Sequence, residues 1–502
     1  MSVSNCKEVL GDEFEGRLLD LMRRWKVPGC AIALVPAAEQ PIIKTYHLEG
    51  ICEPITNQSC FPVASCTKLV TNLALIKALE TAGYDHPLDV RIKDILPEFQ
   101  LSEPTATEEC LVGDIIGHRC SIPAFDFQSI RPFEEGVDCL SLVKDMPLSH
   151  PFREDTNSYS SAMHQLTLPL IEQLTGNTFR AYVKEAILDP LGMSATCHSA
   201  TEAGSSLALG YQVRYDAKGM QEKMMTLRHP YDALGAVSGL ASLRMMTSIE
   251  DLSKLLTHLP TVPLFAEMSI PHQDPSTWVE EAEMCAPGTL AILLDGHLMS
   301  GYTGACPGFR SHVVHVPSLG VGIGVLTNST EGLYLIRWIE AWVVGALTGK
   351  REQLCEKVIN QIEKDRAAFH QTVMTQCPAL RGSGDEKLIG NFYSPTFGSL
   401  TFTDDCTVDT RPFGNMMNMP WLPHLYGDVR PLITSMGGGR FEGCLEWTAG
   451  AEQEQCWGRQ YGYPFRLEVV SVDSEEEEIR VWGMAWLESG SEEGPPAVYR
   501  RV

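Results

Sequence analysis

The residues best suited to chemistry are a serine and a lysine three positions apart, Ser65 and Lys68. Leu69, Leu73 and Ile76 follow at helical spacing, so we predict a helix that begins near Ser65. Residues three apart on a helix lie on one face, one turn from each other. A serine hydroxyl becomes nucleophilic when a neighbour accepts its proton, and a lysine partly shielded from water can do so. The spacing therefore indicates nucleophilic catalysis, with a helix cap beside an exposed lysine as the alternative.

Two later segments carry further polar groups that could join this pair. Tyr159 and Ser161 stand two positions apart before a helical pattern, and Tyr302-Thr303-Gly304 precedes an apolar strand pattern at 321–327. A phenol within reach of Ser65 and Lys68 would complete an acid–base set that needs no histidine. The three segments resemble, in order and separation, the Ser-x-x-Lys, Tyr-x-Asn and Lys/His-Thr-Gly signatures of the serine β-lactamase and penicillin-binding-protein superfamily. The resemblance is nearest to its class C and family VIII esterase branch.

The resemblance implies a role for each residue. Ser65 would be the acylated nucleophile, Lys68 its proton acceptor, and Tyr159 the phenol that works with Lys68. The backbone N–H groups of Ser65 and Ala305 would form the oxyanion hole. The substrate-binding positions would be Ser161, Tyr302, Thr303 and Gly304. No metal or organic cofactor is implied, and the His118/Cys120 and Cys197/His198 pairs lack the second half of a metal site.

Two positions depart from the family pattern. Ser161 stands where the family commonly has Asn, and Tyr302 stands where it has lysine or histidine. A lysine would favour an anionic β-lactam carboxylate, whereas a tyrosine supplies a hydroxyl and an aromatic wall. We therefore expect a neutral or aromatic ester, amide or thioester as the substrate rather than a β-lactam.

Three regions differ in sequence texture. Residues 10–348 alternate helical patterns with short apolar runs, and the resemblance implies an α/β (α+β) β-lactamase/transpeptidase-like domain with an antiparallel sheet flanked by helices. Residues 349–384 are predicted to be a helical linker, in which Leu354, Val358 and Ile362 lie four apart. Residues 385–502 consist of short aromatic and β-branched runs separated by turn residues. They resemble a lipocalin-like antiparallel β-barrel domain.

Composition and charge exclude several kinds of partner. The 502 residues include 39 Lys+Arg and 64 Asp+Glu, a net charge of −25, which disfavours binding to nucleic acid or to anionic membrane. The apolar runs are too short to span a bilayer. The N-terminus shows no secretory signal, and the 16 cysteines are irregularly spaced, so we predict a cytoplasmic protein with reduced thiols.

These observations predict a serine hydrolase that cleaves an ester, amide or thioester of a small molecule through an acyl-enzyme on Ser65. One alternative is an acyltransferase or thioesterase that releases acyl groups from a carrier protein in secondary metabolism. Another is a non-catalytic binding module on the same fold, which the departures at Ser161 and Tyr302 would favour.

Overall fold

The structure, a computed structural model, describes residues 6–501 except 38, 124–137, 155–156, 216–221, 228–238, 377–389, 395–397, 403–427, 438–439, 450–453, 459–464, 472–476 and 483–496. The strands up to the last core helix are β1 (Gly29–Pro36), β2 (Ile42–His47), β3 (Cys60–Pro62), β4 (Gly210–Tyr215), β5 (Glu222–Leu227), β6 (Met246–Ser248), β7 (Glu283–Cys285), β8 (Leu290–Leu294), β9 (His297–Cys306), β10 (Phe309–Val316) and β11 (Val321–Thr327). The α-helices are Cys6–Val9, Asp12–Trp25, Thr67–Thr81, Ile92–Ile95, Pro104–Glu109, Val112–Ile116, Cys139–Lys144, Ser161–His164, Thr167–Thr175, Phe179–Val183, Asp189–Leu191, Ala200–Ala203, Ile249–His258, Phe265–Met268, Gly332–Thr348 and Arg351–Gln376.

A seven-stranded antiparallel sheet divides two hydrophobic cores. Its strand order is β2-β1-β11-β10-β9-β8-β7. Successive side chains of a strand point to opposite faces. In β1, Ala31 and Ala33 accordingly pack into the first core, and Ile32 and Leu34 into the second. Helices cover both faces, which confirms the predicted antiparallel sheet flanked by helices.

The second core is filled by aromatic side chains from the helices Asp12–Trp25 and Gly332–Thr348. Phe14 stacks on Trp338 with ring centroids 5.5 Å apart, and the indole N–H of Trp342 donates to the carbonyl of Val9 at 2.8 Å. From the helix Arg351–Gln376, the predicted apolar positions Leu354, Val358 and Ile362 are buried in this core.

The predicted helix beyond Ser65 runs from Thr67 to Thr81 and lies inside the first core. It is buried on nearly every side, because other helices surround it on the face of the sheet. Its buried polar side chains are satisfied: Thr71 Oγ1 donates to the carbonyl of Ala241 at 2.8 Å, and Asn72 Nδ2 donates to that of Gly288 at 2.9 Å. These bonds fix the helix against two distant loops.

The C-terminal part consists of antiparallel strands. They are β12 (Gly390–Ser394), β13 (Gly398–Phe402), β14 (Asp428–Gly437), β15 (Arg440–Ala449), β16 (Glu454–Gly458), β17 (Phe465–Ser471), β18 (Glu477–Trp482) and β19 (Ala497–Arg501). The pairing order is β13-β12-β19-β18-β17-β15-β16-β4-β5, with β14 on β15. The pairing of β16 with β4 joins these strands to a hairpin of the first region.

The lipocalin-like barrel stays a prediction, because the pairing order among the described strands runs from β13 to β5 without returning on itself. The predicted boundary between residues 384 and 385 lies outside the described residues. Among the described helices, none combines the length and apolar character needed to cross a membrane.

Candidate active site

Ser65 lies in a tight 3₁₀ turn, Ala64–Cys66, that leads into the helix Thr67–Thr81. Ser65 is partly exposed, whereas Ala64 and Cys66 are buried. Ala64 has a φ of +44°, in the left-handed region that costs an L-residue roughly 1–2 kcal/mol. Hydrogen bonds hold this conformation: Thr67 Oγ1 donates to the carbonyl of Ala64 at 2.6 Å, and the N–H of Val63 donates to that of Met245 at 3.0 Å. The strained turn therefore presents the serine hydroxyl.

Two polar atoms meet the hydroxyl of Ser65. Lys68 Nζ lies 3.1 Å from Ser65 Oγ, and the Tyr159 hydroxyl donates to the same oxygen at 2.7 Å. The sequence thus predicted a serine, a lysine and a phenol that the structure brings within hydrogen-bonding distance. Either neighbour is close enough to take the proton of Ser65 directly.

Lys68 is fully buried, and its ammonium group is held from several directions. Nζ donates to the carbonyl of Ser242 at 2.9 Å and to Ser161 Oγ at 3.3 Å. It also lies 4.9 Å from the centre of the Tyr159 ring. Ser161, predicted to bind substrate, therefore contacts Lys68, the predicted proton acceptor. The Ser242 contact was not predicted, because a main-chain carbonyl gives no residue-type signal.

Tyr159 is positioned by His118. The two rings lie 4.3 Å apart, and the N–H of Ser160 donates to Nδ1 of His118 at 3.3 Å. Neutral His118 then carries its proton on Nε2, which lies 3.3 Å from the hydroxyl of Tyr302. Burial, aided by the charge of Lys68, holds the pKa of His118 well below its usual range and keeps the ring neutral.

Tyr302 lies in this buried network rather than at the surface. Its exposed fraction is 0%, so its ring offers no solvent-facing wall to a substrate in this structure. Burial raises the pKa of the Tyr302 phenol well above its usual range, so it stays protonated. The sequence did not indicate this because it does not tell which face of β9 carries residue 302.

Strand β9 passes directly beside the turn of Ser65. A Cβ on Gly304 would lie 2.1 Å from the carbonyl oxygen of Val63 and 2.3 Å from Ser311 Oγ, so only glycine fits. Cys66 Sγ donates to the carbonyl of Tyr302 at 3.2 Å, which ties the turn to the strand. Ala305, the predicted oxyanion-hole residue, follows Gly304 on this segment.

Thr303 contacts a carboxylate that the sequence did not indicate. Its Oγ1 donates to Glu283 Oε1 at 2.7 Å, and Glu283 is exposed at the start of β7. The two residues are twenty positions apart and lie on strands separated by β8, so neither spacing nor residue type predicts their contact.

A buried ion cluster supports the loops that carry His118 and Tyr159. The carboxylate of Asp114, fully buried, accepts from Arg119 at 2.7 Å and from Arg153 at 2.6 Å. Arg119 directly follows His118, and Arg153 precedes Tyr159 by six residues. Sequence reasoning missed this cluster, since its members are scattered and each type is common on surfaces.

No group of three or more potential metal ligands occurs in the part of the chain that the structure describes. Cys120, beside His118, lies 3.8 Å from Cys110 instead, sulfur to sulfur. The described site consists of hydroxyl, amine and phenol groups, which suit acyl transfer to a serine.

Comparison with known proteins agrees with this geometry. Residues 20–344 match the protein family described as Beta-lactamase. The unguisins hydrolase of Aspergillus campestris (strain IBT 28561) is 24% identical over 431 residues, covering 79% of this chain and 78% of that protein.

Two solved structures share the fold. The octameric penicillin-binding protein homologue from Pyrococcus abyssi has a TM-score of 0.55 at 16% identity, covering 98% of this chain and 96% of that one. The D-amino acid amidase from Ochrobactrum anthropi SV3 has a TM-score of 0.52 at 19% identity, covering 68% of this chain and 99% of that one. Because the family match spans well over half of the chain and includes every residue of the site, the protein belongs to the Beta-lactamase family.

Proposed function

We propose that the protein is a serine hydrolase that cleaves the acyl bond of a small-molecule amide, ester or thioester through an acyl-enzyme on Ser65. The observation that carries the proposal is the meeting of Lys68 Nζ and the Tyr159 hydroxyl at one serine oxygen. Tyr159 and Lys68 are the catalytic acid–base groups, and the backbone N–H groups of Ser65 and Ala305 are the oxyanion hole.

The reaction would proceed in two halves. Ser65 Oγ adds to the substrate carbonyl carbon while its proton passes to Lys68 Nζ, and the carbonyl oxygen becomes an oxyanion. The carbon–nitrogen, carbon–oxygen or carbon–sulfur bond then breaks as the leaving group takes a proton from the Lys68–Tyr159 pair. In the second half, water gives a proton to the same pair, adds to the acyl carbon and releases the acid, and Ser65 regains its proton.

Relatives support an amide as the first substrate class to test. The name D-amino acid amidase is that of an enzyme acting on amides, and the name unguisins hydrolase is that of a hydrolase. We further propose that the chain belongs near the class C and family VIII esterase branch, that it acts in the cytoplasm, and that its C-terminal strands form a lipocalin-like barrel. The tie between β16 and β4 would let those strands influence the first region.

The test is intact-mass analysis during incubation with p-nitrophenyl esters and p-nitroanilides. We expect a mass increase equal to the acyl group, mapped to Ser65 and lost again in water. Ser65→Ala should abolish the adduct, whereas Ser205→Ala, which removes an exposed serine, should leave it unchanged. An adduct that persists until an amine or alcohol is added would overturn hydrolysis in favour of acyl transfer. Labelling of the Ser65→Ala variant would disprove the assignment of Ser65 as the nucleophile.

A further inference from the structure

Thr303 and Glu283 together form a rim of hydrogen-bond acceptors beside the turn of Ser65. A threonine hydroxyl has one proton, and that of Thr303 is donated to Glu283 Oε1 at 2.7 Å. The remaining lone pairs of the hydroxyl and of the carboxylate can only accept. Such a pair suits a substrate group that brings N–H donors and positive charge, and it opposes a carboxylate.

The position of this pair is fixed on both sides. Thr303 lies between Tyr302, whose carbonyl accepts from Cys66 Sγ, and Gly304, which closely approaches the carbonyl of Val63. On the other side, the N–H of Cys285 donates to Asn157 Oδ1 at 2.9 Å. Because Asn157 is two residues before Tyr159, strand β7 is tied to the loop of the catalytic phenol.

Strand β8 leaves the edge of β9 unpaired where Thr303 lies. Strand β8 pairs with β9 only as far as Leu290 opposite Gly301. From residue 302 onward the edge that faces away from β10 is therefore not covered by β8. A substrate whose carbonyl lies at Ala305 would extend along this edge past Thr303.

The described residues leave the carboxylate of Glu283 available to a ligand. Its neighbours in sequence are already engaged: Glu281 pairs with Lys357 at 2.8 Å, and Glu280 accepts from the backbone N–H groups of Asp295 and Gly296. Within the described ranges, Glu283 has no ion-pair partner, and its only hydrogen bond is the one from Thr303. Because no described cation pairs with this exposed carboxylate, it can attract a cation carried by the substrate.

We propose that Glu283 is a specificity-determining residue that selects amide substrates carrying an ammonium group and rejects those carrying a carboxylate at the same place. This inference rests on the proposed function, since it concerns substrates that acylate Ser65. The substrate class is amides of small amino-acid derivatives with a free amino group.

The experiment compares kcat/KM at about pH 7 for three p-nitroanilides that share one alanine skeleton, in both enantiomers. Alanine p-nitroanilide carries an ammonium, the N-acetyl compound is neutral, and the N-succinyl compound carries a carboxylate. We expect kcat/KM to be about tenfold or more higher for the ammonium compound than for the succinyl compound. Glu283 would attract the ammonium and repel the carboxylate, and a single partly exposed charge contact has an effect of this size.

Variants of Glu283 test the cause of that preference. Glu283→Gln should bring the ratio between the ammonium and succinyl compounds close to one, and Glu283→Lys should invert it. Glu281→Gln is the matched control, because it removes the same charge two residues away and should leave the ratio unchanged. A ratio that is insensitive to both Glu283 variants, or equally sensitive to Glu281→Gln, would overturn the inference.

Labelling with phenylmethanesulfonyl fluoride separates this inference from the proposed function. Ser65 Oγ displaces fluoride from the sulfur of this neutral reagent and passes its proton to Lys68, without any need for Glu283. If Ser65 is sulfonylated but no anilide is cleaved, amides that carry an ammonium group are not the substrate class. The assignment of Ser65 as the nucleophile would still hold. Absence of sulfonylation at Ser65 would disprove the proposed function and this inference with it.

Discussion

At the scale of single residues, the contacts of Lys68 suit the neutral amine that forms when its ammonium group gives up a proton. A neutral amine has two N–H donors and one lone pair. The carbonyl of Ser242 and Oγ of Ser161 can accept the two protons, which leaves the lone pair for the hydroxyl of Ser65. Ser161 stands where the family commonly has asparagine. Its hydroxyl would help to orient Lys68, because it accepts a hydrogen bond from Nζ.

Tyr159→Phe tests whether the phenol takes part in proton transfer. The variant keeps the ring against His118 and removes only the hydroxyl that lies 2.7 Å from Ser65 Oγ. We expect kcat to fall by about 10²–10³-fold with KM changed little, as for loss of a general acid–base group. Steady-state kinetics on a p-nitroanilide would measure this. Tyr393→Phe, at an exposed tyrosine, is the control; a Tyr159→Phe variant with unchanged kcat would assign proton transfer to Lys68 alone.

Residue types and spacing could predict which side chains meet at Ser65, but not what surrounds them. Ser65 and Lys68 were predictable because one helical turn joins them, and Tyr159 because its motif follows in the expected order. The carbonyl of Ser242 and the carboxylate of Asp114 were not, since main-chain acceptors and buried ion clusters form only once distant loops meet. The contact between Thr303 and Glu283 was not predictable either, because it joins two strands that are separated by β8.

At the scale of elements, the approach of β9 to the turn of Ser65 is what assembles the site. The approach requires residue 304 to have no side chain, because a Cβ there would overlap the carbonyl of Val63 and Ser311 Oγ. Ser311 Oγ donates to that same carbonyl at 2.9 Å, so neither neighbour can yield without losing a buried hydrogen bond.

We therefore expect Gly304→Ala to push β9 away from Ser65. It should lower kcat/KM by at least about tenfold, since a misplacement near 1 Å is costly in catalysis. It should also lower the free energy of unfolding by about 1–3 kcal/mol, the usual cost of overpacking. Kinetics and urea denaturation would measure both effects.

Gly16→Ala is the matched control for that substitution. Gly16 is exposed on the helix Asp12–Trp25, and a Cβ there would meet nothing within 4 Å. Alanine should stabilise this helix by up to about 1 kcal/mol and leave activity unchanged. Equal effects of the two substitutions would contradict the role given to Gly304.

Strand and helix patterns predicted the elements better than their connections. The apolar spacing at Leu69, Leu73 and Ile76 predicted the helix, but not that it is buried on nearly every side. Its polar residues are buried because Thr71 and Asn72 bond to loop carbonyls, which periodicity does not reveal. The pairing of β16 with β4 could likewise not be predicted from the sequence, because it joins segments more than 200 residues apart.

At the scale of the whole molecule, burial of histidines links stability to pH. Burial lowers the pKa of several described histidines: those of His198 and His272 to about 4, those of His118 and His164 well below the usual range, and those of His258 and His315 as well. The unfolded chain protonates histidine near pH 6.5. Between that pH and about 4 the unfolded state binds more protons, so acidification favours unfolding.

We accordingly expect the free energy of unfolding to be nearly constant between about pH 7 and pH 8 and to fall steadily from pH 6.5 to pH 5. His198 and His272 should each contribute about 1–2 kcal/mol to that fall. The fall precedes protonation of the carboxylates whose pKa hydrogen bonds lower, such as Glu103 and Glu352, because they titrate below about pH 4.5. Urea denaturation at half-unit pH steps would measure the slope.

His272→Gln should flatten that slope by the share of one histidine, because glutamine takes up no proton in either state. His86→Gln removes an exposed histidine and should leave the slope as it is. A slope that responds equally to both substitutions would trace the acid sensitivity to net charge, which is already −25. A slope that responds to His272→Gln alone would trace the acid sensitivity to the histidines whose pKa is lowered by burial.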